Sequence, residues 1–278
     1  MAPPPKYETK TIPTRPTPAP PPMALPALVQ QVARHEDVTQ RAYLSYTFHE
    51  ETHIAEAPGA DGRDGEFSIS GDVYSKPSGE RYERISKHPV NTLQRATFPP
   101  EERQALARLP MFILTTAQLP NYDIAYEGDE KLDEIHTYIL RVQPKQLERG
   151  TKRFDGVVWV DDRDLAVVKS YGRFVSDLIA EPSLDNPFTD FEIYRENVTS
   201  SYWFPTYIRS DSVLTVKDGE IHLRLVIRSS NFQPLSAAPA DAPATAAPPG
   251  AAGAPSGGGP GTSSPAPTTN PGTPPAKP

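Results

Sequence analysis

GVVWVDDRDLAVVKSYGRF (residues 156–174) holds two segments rich in valine and aromatic residues around the polar run Asp161-Asp162-Arg163-Asp164. β-Branched and aromatic side chains suit a pleated, half-buried surface, and an Asp cluster between two such runs reads as a hairpin turn. Towards the C-terminus, FTDFEIYRENV (188–198), SYWFPTYIRSD (201–211) and SVLTVKDGEIHLRLVIRSSNF (212–232) repeat the pattern. Asp218-Gly219 lies between two alternating runs, and a type I′ turn needs the two positive φ angles that such a pair supplies. Consecutive hairpins with few helices predict an antiparallel meander with one apolar face to be covered.

Towards the N-terminus, DEIHTYILRVQPK (133–145) reads as a strand with Ile135, Ile139 and Arg141 on alternate positions, and YDIAYEG (122–128) as another. MFILTTAQL (111–119) is apolar and fits either helix or strand. PPEERQALARL (99–109) predicts a short helix, with proline at its start, acids in its first turn and Arg108 in its last. EFSISGDVYSK (66–76) and GERYERISK (79–87) are further strands, after the turn-rich APGADGRDGE (57–66). RAYLSYTFHEETHIAE (41–56) alternates with Leu44, Tyr46, Phe48 and Ile54 on one face, which predicts a long strand. Before it, Leu25, Leu28, Val29 and Val32 recur at helical spacing in MALPALVQQVARHEDV (23–38), with Pro26 where a first-turn proline is tolerated. The two helices are the candidates to cover the apolar face.

The ends differ from this domain. About two-thirds of the 34 prolines of the 278-residue chain lie before Ala27 or after Ser236. Residues 1–26 and 237–278 are predicted to be disordered, because they carry too little apolar surface to offset ordering. That leaves roughly 210 residues, 27–236, for one domain. The net charge is −7, the pI is near 5.4 and the charges are mixed, so nucleic acid is not an expected partner. Without cysteine there are no disulfides, thiolate metal sites or cysteine nucleophile. No run approaches the roughly 20 apolar residues of a membrane span. The first residues lack the basic-then-apolar pattern of a secretory signal. Taken literally, this describes a cytosolic chain or one whose start lies downstream of the true one.

His49-Glu50-Glu51-Thr52-His53 matches H-E-x-x-H, which on a helix places two histidines on one zinc and a glutamate on its water. The segment alternates with period two, however, and on a strand the two histidines stand about 13 Å apart. Two zinc–nitrogen bonds of about 2.1 Å cannot bridge that gap. Residue 51 is also acidic, where zincin helices usually carry uncharged residues. No metal, cofactor or catalytic residue is therefore expected. His35, His88, His136 and His222 are isolated. Asp161, Asp162 and Asp164 lack the glycine and terminal glutamate of a calcium loop. Asn197-Val198-Thr199 is a formal glycosylation sequon. Trp159, Trp203, Tyr202 and Phe204 suit either a ligand stack or the core. No G-x-S-x-G, P-loop or G-x-G-x-x-G is present.

YILRVQPKQLERGTKRFDGVVWVDDRDLAVVKSYGRF (138–174) resembles the centre of the LolA/LolB-like outer-membrane lipoprotein-sorting carriers. The matching residues are Val142, Pro144 and Lys145, then Gly156, Trp159, Val160 and Asp161, then Leu165, Val167, Val168 and Lys169. Trp203 and Pro205 sit at the corresponding element of the closing strands, and the likeness runs in order over most of Met23 to Phe232. It implies an α+β, mainly antiparallel fold: a strongly curved, unclosed half-barrel sheet with a few covering helices. Its concave apolar face would hold lipid or lipoprotein acyl chains without catalysis. Ile139, Val158, Val160, Leu214 and Leu223 are the candidate lining residues, though one sequence does not say which strand face is concave. The implied setting is periplasmic or outer-membrane-associated, for a monomer that engages an envelope membrane complex. Such carriers normally have an export signal or lipid anchor, with which this chain does not begin. Two other functions are kept open: a zinc-dependent hydrolase using His49, Glu50 and His53, and a structural scaffold whose proline-rich ends dock on partners.

Overall fold

The computed structural model describes residues 20–57, 62, 64–75, 81–107, 109, 111–176, 186–217 and 219–235. The chain divides into two units, 1–236 and 237–278, and the fold below is that of the first. Residues 1–19, half of the turn-rich loop, Arg108, Asp218 and the proline-rich tail lie outside the described residues.

The chain begins with α1 (Leu25–Tyr43), then β1 (Tyr46–Glu56), β2 (Gly65–Ser75), β3 (Arg81–Asn91) and α2 (Pro100–Ala107). Seven strands follow: β4 (Tyr122–Leu132), β5 (Ile135–Pro144), β6 (Arg153–Asp161), β7 (Val167–Val175), β8 (Asp190–Asn197), β9 (Trp203–Val216) and β10 (Gly219–Pro234). All ten form one antiparallel sheet in the order β3-β2-β1-β10-β9-β8-β7-β6-β5-β4. β4 to β10 are a continuous meander, and β1 joins it by pairing with β10. β3 and β4 are the two free edges, so the sheet is the expected unclosed half-barrel with two covering helices. Register shifts at Thr47/His49, Ser68/Ser70, Tyr126/Gly128, Trp159/Val160 and Tyr194/Arg195 mark bulges, which bend strands and raise their twist.

One row of paired residues traces the covered face. Tyr126 of β4 opposes Leu140, and the row continues through Val158, Ser170, Ile193, Ile208, Ile227 and Thr52 to Ile69 of β2. Every member from Leu140 to Ile69 is buried. The segment between β3 and β4, residues 92–121, joins opposite edges of the sheet and therefore crosses this face. It carries α2 and places Ala96, Phe98, Leu106 and Leu109 in the core. The edge strand β3 is exposed along almost its whole length and contains Pro89, a residue sheets tolerate at edges because it lacks an N–H.

Two sequence expectations change here. The long strand expected from Arg41 begins at Tyr46, because the helix continues to Tyr43. There the Tyr43 ring lies 5.2–6.3 Å from the rings of Phe48, Phe112, Phe204 and Phe232, a cluster that rewards the extra turn. Residues 111–119 are neither helix nor strand. Phe112, Ile113, Leu114 and Thr115 are buried in an irregular segment that ends in a 3-10 turn at Leu119–Asn121. Such a buried loop needs partners for its backbone, and Asp37 of α1 supplies one by accepting from Thr116 N at 3.1 Å.

The 156–174 hairpin forms as expected. Asp161 Oδ1 accepts from the Arg163 amide at 2.8 Å, so this carboxylate shapes its own turn. Gly156 and Gly172 oppose one another across β6 and β7, under the ring of Phe154. A Cβ at Gly156 would stand 2.5 Å from the Phe154 ring, and one at Gly172 2.6 Å from the Gly156 Cα. Both glycines make room for a buried aromatic ring laid across two strands. Gly156→Ala is expected to cost about 1–3 kcal/mol by overpacking. Thermal denaturation should show a midpoint lowered by about 2–4 °C per kcal/mol in a domain of this size.

Candidate functional site

The covered face holds two apolar clusters. In one, Leu28, Val29 and Val32 of α1 pack with Ile113 and Leu114 against Leu140, Val158 and Val160. In the other, Phe98, Leu106 and Leu109 of the crossing segment pack against Ile54, Phe67, Leu214, Leu223 and Leu225. Val158 and Val160 therefore meet α1, while Leu214 and Leu223 lie under the α2 segment. Ile139 is placed apart from these four. It opposes Trp159, whereas its neighbour Leu140 opposes Val158, so Ile139 lies on the other face of the sheet.

Among the described residues, three groups of polar contacts hold the cover, the first of them deeply buried. Glu36 and Arg195 are each 1 % exposed and pair bidentately, at 2.5 and 3.2 Å. The same guanidinium donates to Met111 O at 2.6 Å and stands 4.8 Å over the Phe112 ring. One buried ion pair thus joins α1, β8 and the 111–119 segment. Asp37 reinforces it, accepting from Thr116 Oγ1 at 2.5 Å.

A second carboxylate anchors the start of the crossing segment. Glu56, at the end of β1, accepts from the backbone N–H of Gln94, Arg95 and Ala96 at 3.0–3.3 Å and from Arg95 Nε at 2.9 Å. Burial alone would raise its pKa, but the Arg95 side chain and these amides outweigh burial and hold the carboxyl below its ordinary value. A third group sits near the sheet edge, where Arg81 pairs with Glu50 at 2.5 Å and Arg103 of α2 with Glu83 at 3.1 Å. Burial, and then the neighbouring Glu50, push the Glu83 pKa up.

Of these anchors the sequence singles out Glu50 alone, for a different role, yet a signal for the others exists. Glu36 continues the apolar helical spacing Val29, Val32, Ala33, and Glu56 and Arg195 fall on the apolar parity of their strands. A charge on an apolar stripe signals a buried partner.

H-E-x-x-H lies in β1, and its residues diverge. His49 Nδ1 is 3.0 Å from Asp72 and His53 Nε2 is 3.2 Å from Glu66, both partners on β2. Glu50 belongs to the opposite face, with Arg81. Of the aromatic candidates, Tyr202 stacks on Phe204 with ring centroids 5.9 Å apart, while Trp159 lies elsewhere. Trp159 and Tyr194 flank Lys169 Nζ at 4.8 Å on the outer face, and Phe204 is buried in the aromatic cluster.

The covered face is well filled. A cavity of about 80 Å³ lies among Leu106, Leu109, Phe174 and Phe191, rimmed by Glu102, Lys152 and Arg173. Burial raises the Glu102 pKa, with Lys152 opposing it. A second cavity of about 20 Å³ lies by Thr52, Ile69, Ile208 and Ile227. Ligand pockets are typically about 300–1,000 Å³, so neither of these two cavities holds an acyl chain as it stands. A wider hollow of about 630 Å³ is bordered by Ala55, Asp211, Ser212, Val213, Leu223 and Arg224. Asp211 and Arg224 pair on its outer wall at 2.6 Å.

No protein-family model and no curated protein matches the chain. Among solved structures it is similar to a DUF1329 family protein from Desulfovibrio piger, at 15% identity and TM-score 0.39, over 77% of this chain and 95% of that one. It is also similar to a LolA superfamily protein from Nitrosomonas europaea, at 14% identity and TM-score 0.33, over 76% and 94% of the two chains. A third is the lipoprotein LppX from Mycobacterium tuberculosis, at 9% identity and TM-score 0.23, over 75% and 96%. The functional reading that follows rests on this chain's own geometry.

Two outcomes test the anchors. Glu36→Ala strands the Arg195 charge and is expected to cost about 3–5 kcal/mol, whereas Glu36→Met/Arg195→Met is expected to recover most of that loss. Urea denaturation of the parent, single and double variants measures both. For Glu56, a depressed folded pKa contributes stability that is present above the ordinary value of 4.5 and is lost as pH falls through the folded pKa. Thermal midpoints between pH 6 and pH 3 should therefore fall less steeply in Glu56→Gln than in the parent.

Proposed function

We propose that residues 27–236 form a non-catalytic binding domain that holds lipid or lipoprotein acyl chains on the covered face of the half-barrel. The observation that carries this reading is the buried row from Leu140 to Ile69. It is a largely apolar face across an unclosed sheet, covered by two segments and not by a second sheet. The cover presents apolar side chains to that face, so a hydrocarbon ligand exchanges one apolar contact for another. The cost of opening is concentrated in the few anchors at Glu36–Arg195, Glu56–Arg95 and Glu83–Arg103.

Magnitudes favour partial cover of the ligand. Each buried methylene contributes about 0.8 kcal/mol, so a fully enclosed chain of 16 carbons would gain about 12 kcal/mol and leave slowly. A carrier or sensor needs release, and an open-edged sheet with a displaceable cover supplies it. Val158, Val160, Leu214 and Leu223 are the proposed contacts on this face, and Ile139 is left to the outer surface. An envelope setting, periplasmic or outer-membrane-associated, fits an acyl cargo in lipoprotein sorting, transport or sensing, with a membrane complex as exchange partner. No residue needs a cofactor in this role, and the protein would work as a monomer with the proline-rich stretches before α1 and after residue 236 as tethers. No geometric observation favours the zinc or scaffold readings.

Titration with cis-parinaric acid is expected to give saturable fluorescence enhancement with micromolar affinity. Native mass spectrometry of protein purified from membrane-containing lysate should show lipid adducts. A strictly ligand-free protein that also ignores the probe would sink the reading.

A further inference from the structure

Three hydroxyls on the covered face have no hydrogen-bond partner among the described residues: Thr206 Oγ1, Ser210 Oγ and Ser212 Oγ. A fourth such atom, Thr199 Oγ1, lies in the turn between β8 and β9. The first three belong to β9, whose residues alternate so that Phe204, Thr206, Ile208, Ser210, Ser212 and Leu214 share the buried side. Thr206, Ser210 and Ser212 are 9 %, 2 % and 6 % exposed. Ser210 opposes Leu225 and Ser212 opposes Leu223 of β10, while Ile208, on the same side, opposes Ile193 of β8. Ser210 and Ser212 therefore stand on the largely apolar face opposite hydrocarbon of β10, while Thr206 lies at the Tyr194/Arg195 bulge beside buried Arg195.

Buried hydroxyls are nearly always partnered, because leaving one unpaired forfeits its bonds to water. Alanine or valine would fill the same places without that cost. Three unpaired donors on one strand work against the closed state and favour a state in which the face meets hydrogen-bond acceptors. A bare hydrocarbon offers none.

We infer that these hydroxyls donate to the ester carbonyls of the bound lipid, so that the ligand is a two-chain acyl ester and not a free hydrocarbon or an ether lipid. The inference rests on the acyl-binding reading above and sharpens it. Ser210 and Ser212 are alternate residues of one strand, about 7 Å apart, which suits the two carbonyls of one glycerolipid. Leu223 and Leu225, which oppose them, and Ile208, next on the same side of β9, take the start of the chains. The serine pair thereby sets where along the face the polar–apolar junction of the lipid rests.

Phosphatidylglycerol with two palmitoyl esters and its dihexadecyl ether analogue share headgroup and chain length. Equal amounts of both, offered together to the full chain and quantified by native mass spectrometry, are expected to show the ester retained about tenfold over the ether. In Ser210→Ala/Ser212→Ala the two should approach parity, and the variant should melt no lower than the parent. Equal retention by the parent, or an unchanged preference in the variant, would overturn the role of the hydroxyls and leave acyl binding standing. A variant that melts well below the parent would show the hydroxyls to be partnered when closed and overturn the inference. Retention of neither lipid would overturn acyl binding and this inference together. The parent's ratio is read without any substitution, so the test does not depend on the variant's folding.

Discussion

A glutamate and an arginine, each almost fully removed from water, hold the cover to the sheet: Glu36 on α1 and Arg195 on β8. Such a pair recovers its desolvation cost only with good geometry and further hydrogen bonds, and both are present. The guanidinium uses two donors on the carboxylate, another bond on the Met111 carbonyl and its face on Phe112. Removing one partner strands the other charge among apolar side chains. Placing α1, the 111–119 segment and a bulged strand in one register is what the pair contributes. A purely apolar contact in its place would allow several sliding arrangements.

The rest of the architecture follows from strand order. Because β3 and β4 are opposite edges, the chain between them has to traverse the sheet, and it does so over the apolar side. Closure of the sheet would have removed both edges and filled the interior with strand side chains. Leaving it open gives a face covered by chain that can leave without breaking a single strand pair. Glu56 shows how the crossing is steered, since its carboxylate gathers three successive amides at the point where the chain turns off the edge strand.

Much of this was legible in the residues, and the gaps have physical causes. The hairpins at 156–174 and 203–234 were legible because alternation and turn chemistry are local. The neighbour of β1 was not, because pairing with β10 depends on residues some 170 positions away. Apolar residues occupy both parities of β5, Ile135 and Ile139 on one, Leu140 and Val142 on the other, so the strand by itself does not say which set faces the cover. Only the register with β6 separates them. Residues 111–119 were ambiguous because burial with neither period comes from an irregular segment whose backbone is satisfied by side chains such as Asp37. H-E-x-x-H lies on the strand that its period predicts, and Glu50 belongs to the Arg81 network.

The pairing of β1 with β10 also governs how the molecule is made. Strands β4 to β10 are joined by local hairpins and can form as each leaves the ribosome or a translocation pore. Helix α1 and strands β1 to β3 emerge first, yet their place in the sheet exists only after the last strand arrives. The earliest-made third of the domain therefore waits, with its apolar side unprotected, for the latest-made strand. A chain built this way depends during synthesis on whatever shields its first three strands, and any truncation before β10 removes the seat of β1 to β3 altogether.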